Sequence, residues 1–375
     1  MIKRRSERLR RNNEMKIAFI GNSGLSIYGY RKELVERLLS DGHSVSILAP
    51  QGDFVQELKD MGCTVYETQL DRHGTNPLKD LKLLKRYKKV LKEISPDYVF
   101  TYTIKPNIYG AIACKKLKIP CIVNITGLGT AVENGGIMQK ITTMLYKFAL
   151  NKCQTIFFQN TENRQFFIDK KIYVEKHKLL PGSGVNLTRF TPSPMPNTDT
   201  VDFVFISRLM KEKGVDQYFE AAKYIKEKYP FTRFHVCGFC EKEYEQQMEV
   251  LKESDTIIYH GMVKDITTIL KDVHCVVHPT YYPEGLSNVL LEACACARPI
   301  ITTDRAGCRE VVDDGVNGFV VKQKDSKDLI KQIEKFLSLS NAERYQMGLN
   351  GRKKVEREFD RNIVINAYLK EIGER

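Results

Sequence analysis

Short, nearly continuous apolar runs alternate with helical segments along almost the whole chain, and this pattern limits the fold most. From Met15 onward KIAFIG, SVSILAP, YVFTYT, CIVNIT and TIFFQN are such runs, with ELVERLLSDG and DLKLLKRYKKVLKEI between them. Strands apolar on both faces and separated by helices belong to a parallel sheet covered on both sides. The periodicity stops over PGSGVNLTRFTPSPMPNTDT, Pro181 to Thr200, where Gly, Pro, Asn and Thr dominate. It then restarts with DFVFIS, FHVCG, TIIYHG, CVVHPT, PIITTD and GFVV. The pattern predicts two tandem doubly wound α/β domains facing a cleft, over residues 15–180 and 201–356, joined by a linker over 181–200. A C-terminal helix over 357–375 has no strand after it and is free to pack back on the first domain. Ligands of such sheets bind beyond the carboxyl ends of the strands.

The 375 residues suffice for two cores. No run of 18 apolar residues is present to span a bilayer. The first fourteen residues, MIKRRSERLRRNNE, lack the apolar centre of a secretory signal and read as a basic, solvated leader, or alternatively as a basic tether to a membrane surface. Cys237 and Cys240 form a lone C-x-x-C without a second pair, and the ten cysteines fall mostly in apolar runs, as reduced thiols of a cytosolic protein do. His274 and His278 lie in a strand-like run, where a spacing of four builds no helical metal site. No metal or cofactor is expected. Residues 1–200 carry 32 Lys and Arg against 18 Asp and Glu, whereas 201–375 carry 27 against 28. The first half alone therefore suits an anionic partner.

KIAFIGNSGLSIYGY turns from a strand through Gly21 and Gly24 into a helix. Such a turn presents backbone amides to a phosphate or sugar, and equally serves as a plain tight turn. The G-x-G-x-x-G spacing of dinucleotide sites is absent. In FISRLMKEKGVDQYF, Arg208 follows a strand and Lys213 precedes Gly214 and a helix, so both cations sit where a diphosphate would bind. In HPTYYPEGLSNVLLEA a loop leads from a strand to a helix capped by Ser287 or Asn288. Glu284 precedes this helix, and Glu292 lies in its early turns, roughly 80° round from Glu284. Two carboxylates so placed do not act on one bond, but each accepts several hydrogen bonds from vicinal hydroxyls.

These segments resemble the retaining family 4 glycosyltransferases. Glu284-Gly285 through Glu292 matches their E-x7-E signature, and Ser207-Arg208-Leu209 through Lys213-Gly214 their diphosphate-binding segment. Gly184-Val185-Asn186 through Phe190 and Pro192 is similar to their linker, and DDGVNGFVV to a late element. The resemblance covers Met15 to the C-terminus and implies the GT-B fold. It also implies that Arg208 and Lys213 neutralise the donor diphosphate in place of a metal, and the chain has no D-x-D. Glu292 would hold the ribose. Glu284 would hold the donor sugar, with Gly285, Leu286, Ser287 and Asn288 lining the site. The region from Gly261 to Val263 would border the base, and Gly21, Gly24 and Gly238 are further candidates for binding the donor. Retention through a short-lived ion pair needs no protein nucleophile. Two departures concern histidine: Thr126-Gly127-Leu128-Gly129 occupies a place where many members carry His, as does Tyr102.

SIYGYRKELVERL, KPNIYG and TGLG resemble enzymes that extend undecaprenyl-diphosphate-linked glycans in bacterial surface-polysaccharide or glycoprotein assembly. The resemblance implies a UDP-linked hexose or N-acetylhexosamine donor and a lipid-linked acceptor met by Lys105, Thr126 and Gly127. It further implies a cytoplasmic protein peripheral to the inner face of the membrane. KDLKLLKRYKKVLKEI sets seven basic residues beside Leu81, Leu84, Tyr87, Leu91 and Ile94, and IMQKITTMLYKFALNK sets Ile137, Ile141, Met144, Leu145 and Phe148 at helical spacing. Each fits a membrane-docking helix, and each fits a helix packed on its sheet with a solvated basic face. Two other classes share some of these features, a UDP-sugar 2-epimerase of the same fold and a nucleic-acid binder. The first would lack the E-x7-E signature with this linker. The second would interleave aromatics with its basic segments.

Overall fold

Among the described residues every paired strand is parallel to its neighbours, so the carboxyl ends collect on one edge of each sheet. The computed structural model describes residues 14–70, 76–133 and 135–373; the basic leader lies outside the described residues except for Glu14. Two compact units are present. The first runs to Ser183 and includes the segment from Val364, and the second is Gly184–Ile363.

In the first unit seven strands lie in the order β3-β2-β1-β4-β5-β6-β7, namely β1 (Lys16–Ile20), β2 (Ser44–Ala49), β3 (Thr64–Glu67), β4 (Tyr98–Tyr102), β5 (Cys121–Ile125), β6 (Thr155–Phe158) and β7 (His177–Leu179). The order reverses between β1 and β4, which is the switch point of a doubly wound sheet. The two strands not anticipated, β3 and β7, are the edges. Both are short and partly exposed, so they lack the two-sided apolar run that marks a central strand. Helices cover both faces. The helix Pro77–Ile94 starts at an Asn76 cap that accepts from Leu78 and Lys79 amides, and it buries Leu83, Tyr87, Val90 and Leu91. Leu81, assigned above to its apolar face, is exposed instead, because the buried stripe is centred on Tyr87, some 120° away at about 100° per residue. On the other side of the sheet Val364, Ile365, Tyr368 and Leu369 of the helix Arg361–Glu371 join the core. The Tyr368 hydroxyl donates to Asn124 Oδ1 at 2.7 Å, and its ring meets Phe100 and Phe157 edge-on.

The second unit repeats the order with six strands, β10-β9-β8-β11-β12-β13: β8 (Val201–Ile206), β9 (Thr232–Cys237), β10 (Ile258–Tyr259), β11 (Cys275–His278), β12 (Ile300–Thr303) and β13 (Gly318–Val321). Its switch point lies between β8 and β11. Residues 184–200, within the segment read above as a linker, fall within this unit. The Val185 amide donates to Phe359 O at 2.8 Å, Phe190 enters the core, and the buried guanidinium of Arg298 donates to the carbonyls of Ser193 and Pro194. Polar Pro- and Asn-rich sequence here reflects a backbone held by side-chain donors, not a loose tether.

Candidate active site

The arrangement grows from the switch point of the second sheet. Beyond β8 the chain enters a single 3-10 turn, Lys211–Lys213, which ends at Gly214 before the helix Val215–Lys228. Gly214 has φ +77°, and a Cβ there would stand 2.2 Å from the Pro279 carbonyl oxygen. Only glycine allows the two strand-end loops to approach so closely. The Tyr281 amide donates to Glu212 O at 2.9 Å and fixes the same contact. As a result Lys213, after β8, forms an ion pair with Glu284, in the loop after β11. Both side chains are mostly covered, and the Lys213 ammonium lies 4.9 Å from the centre of the Tyr282 ring. Burial draws Lys213 down to about 8, and the nearby Arg208 charge adds to the effect.

Arg208 is exposed at the same strand end. Its Nη1 stands 3.4 Å from Glu241 Oε1, and its Nη2 stands 3.0 Å from Met210 Sδ. Gly238, at the end of β9, has φ +143°, and a Cβ would overlap the Ser207 carbonyl oxygen at 1.8 Å. Its amide donates to Gly261 O at 2.8 Å, and Val263 packs on the unit's core. Arg208, Lys213, Glu284, Gly238 and Gly261 thus belong to four adjacent strand ends, those of β10, β9, β8 and β11.

The helix Asn288–Ala295 is capped by Ser287, but the Ser287 side chain makes no capping bond. The Ser287 amide donates to Gly307 O at 2.8 Å, which ties the helix start to the loop after β12. Leu286 is buried in the core. Gly285 and Gly307 touch backbone to backbone, since a Cβ on Gly307 would be 2.9 Å from Gly285 O. Glu292 is half-buried on this helix, and burial pushes its carboxyl up to about 7, with Arg189 and Arg361 acting in the opposite direction. Those two arginines were not foreseen, because they lie far from Glu292 in sequence.

His278 is the last residue of β11. It is fully enclosed, and neither ring nitrogen has a hydrogen-bond partner among the described residues. Burial, aided by the charge of Lys213, lowers it to about 3, so the ring is neutral at physiological pH. Its signal in the sequence is its place, directly before the Pro279 that meets Gly214.

In the first unit Gly21 and Gly24 follow β1. Ser23 caps the helix Gly24–Ser40 and accepts from the Ser26 amide, and a Cβ on Gly24 would lie 2.3 Å from Asp53 O. Close packing thus accounts for Gly24. Lys105 pairs with Asp80 at 2.7 Å, and Tyr109 donates to the other Asp80 oxygen at 2.9 Å. Thr126 and Gly127 lie half-buried just after β5. Tyr102 is enclosed, with the Arg31 guanidinium 4.8 Å from its ring centre.

Two Rossmann-like units, with paired cations and carboxylates at the second switch point, define a GT-B glycosyltransferase. Residues 189–354 match the model of the glycosyl transferases group 1, and residues 16–160 match that of the glycosyl transferase 4-like family. The two models together span most of the chain, and the protein is a glycosyltransferase. It is 29% identical to the N,N'-diacetylbacillosaminyl-diphospho-undecaprenol alpha-1,3-N-acetylgalactosaminyltransferase of Campylobacter jejuni, over 95% of this chain and 98% of that one. It is 28% identical to the UDP-Gal:alpha-D-GlcNAc-diphosphoundecaprenol alpha-1,3-galactosyltransferase of Escherichia coli, over 68% and 70% of the two chains. Among solved structures it resembles a glycosyltransferase from Rickettsia africae, with TM-score 0.80 and 18% identity over 97% of this chain and all of that one. It also resembles HepE of Anabaena, crystallised with UDP, with TM-score 0.77 and 20% identity over 96% and 99%.

Proposed function

We propose that the protein is a retaining, metal-independent glycosyltransferase. It moves an N-acetylhexosamine or hexose from a UDP-sugar to a glycan carried on a polyisoprenyl diphosphate at the inner face of a bacterial membrane. The observation that carries this reading is the Lys213–Glu284 ion pair beside Arg208. In the free enzyme Glu284 neutralises Lys213. A donor diphosphate competes for that ammonium and frees the Glu284 carboxylate to accept hydrogen bonds from the sugar hydroxyls. As the bond from C1 to the β-phosphate oxygen breaks, its electron pair goes to the phosphate, where Arg208 and Lys213 meet the developing charge. The acceptor oxygen then bonds to C1 on the same face, and its proton passes to the departing phosphate. Glu292 accepts from the ribose hydroxyls.

The two named relatives act on undecaprenyl-diphosphate-linked substrates, and one of them uses UDP-galactose, which supports the donor and acceptor classes. Among the described residues no helix is long and apolar enough to cross a membrane, consistent with a peripheral enzyme. The test is incubation with a panel of UDP-sugars and a lipid-diphosphate-linked sugar, in EDTA, with the product anomer assigned by NMR. An α-linked product formed in EDTA supports the reading. A β-linked product, or strict dependence on added magnesium, overturns it.

A further inference from the structure

The helix Gly136–Leu150 in the first unit is turned inside out. It buries Thr142, Thr143, Tyr146, Ala149 and Leu150. Ile137, Ile141, Met144 and Phe148 are exposed by 76, 45, 70 and 57%. Their spacing of four, three and four puts them on one stripe, about 60° wide at roughly 100° per residue. A helix that buries two threonines while showing five large apolar side chains, these four and Met138 beside them, is not arranged for water alone. Lys140 and Lys147 fall together along one flank of the stripe, and Lys115, on the neighbouring helix Ala111–Leu117, lies 4.6 Å from the Phe148 ring centre. Residues 136–152 contain no Asp or Glu.

We infer that this face docks on an anionic bilayer surface, with the four apolar side chains entering the interface and Lys140, Lys147 and Lys115 meeting lipid phosphates. The inference rests on the lipid-linked acceptor proposed above and names the surface that brings the enzyme to it. An apolar stripe flanked by cations is what an interfacial helix presents to such a membrane. A second copy of the chain fits less well, because a twofold interface on this patch would set lysines against lysines with no acid to answer them. The helix Pro77–Ile94 shows only Leu78 and Leu81 strongly exposed, which gives it a basic face without a comparable apolar stripe.

The test is flotation of the full chain with vesicles of phosphatidylcholine, alone or with about a third phosphatidylglycerol, at low and high salt. Wild type is expected to float with the anionic vesicles at least tenfold more strongly than with the neutral ones. An Ile141→Gln, Met144→Gln, Phe148→Gln variant should lose at least tenfold on anionic vesicles. Lys140→Glu with Lys147→Glu should lose more than tenfold there, at about fivefold per well-placed cation. Thermal stabilisation by a UDP-sugar, equal in all three proteins, shows that the variants are folded. Wild type that fails to float, or folded variants that float as wild type does, overturn the inference, the second result giving the binding to the basic leader or another surface. A wild-type dimer that both variants dissolve, without vesicle binding, overturns it in favour of a second copy. Transfer to a water-soluble acceptor analogue by a non-floating enzyme would remove this surface but keep the proposed function. Floating without transfer would do the reverse.

Discussion

Lys213 and Glu284 form an ion pair across the carboxyl ends of β8 and β11, with 14% and 15% of their side chains exposed. Neither residue could reach the other if Gly214 carried a side chain, since the loops meet where its Cβ would be. In the proposed reaction the pair holds a cation ready for the donor diphosphate and keeps it neutralised until one arrives.

Because both groups are largely covered, removing one leaves the other without its charge partner. Lys213→Met is expected to destabilise the protein by about 2 kcal/mol, and Glu284→Gln by less, since the amide keeps the shape. The double variant should cost less than the sum, with a coupling of about 1–3 kcal/mol in urea denaturation. Additive losses would mean that the pair contributes nothing.

Arg208 is exposed and held only from its edges, so Arg208→Ala should change stability by no more than about 0.5 kcal/mol. Transfer should nevertheless fall about 10²–10³-fold in kcat, the size of one preorganised charge donor lost at a developing anion. Steady-state kinetics beside a melting curve separates the two effects.

The raised carboxyl of Glu292 predicts a pH-dependent stability. Its ionised form is penalised in the fold, so the cost is absent below the unfolded value near 4.5, grows as pH rises, and levels off above about 7. Glu292→Gln should therefore match wild type in stability near pH 4 and exceed it by about 2 kcal/mol at pH 8, while donor binding weakens. A stability gap independent of pH would contradict the placement.

Lys213 predicts an alkaline limb. Its ammonium is lost from the free enzyme above about pH 8, and kcat/KM reports the free enzyme, so kcat/KM should fall above that pH. Lys213→Arg, whose guanidinium stays charged, should be slower but lack the limb.

Much of this was legible in the sequence because central strands and strand-end motifs are local. The runs KIAFIG and DFVFIS identify β1 and β8, and the spacing from Arg208 to Lys213 marks a cationic loop before any fold is known. What was not legible depends on long-range packing. The edge strands β3 and β7 look like loops, since an edge needs no second apolar face. Residues 184–200 look like a tether because the donors that hold them, on Arg298, come from another segment. The exposed stripe on Gly136–Leu150 shows in the sequence as helical spacing, but whether it faces the sheet or the solvent depends on where Thr142 and Tyr146 pack. Likewise, no spacing rule brings Arg189 and Arg361 to Glu292.

The most direct measurement of the central claim is titration calorimetry of UDP into wild type, Lys213→Met and Glu284→Gln, all in EDTA. The account predicts metal-free binding to wild type and at least tenfold weaker binding to Lys213→Met, about the worth of one charge-assisted contact. Glu284→Gln should bind UDP as tightly as wild type or more so, because the competing carboxylate is gone, and yet fail to transfer sugar. Binding that needs a divalent metal, or that is equal in wild type and Lys213→Met, would contradict the exchange of partners at Lys213.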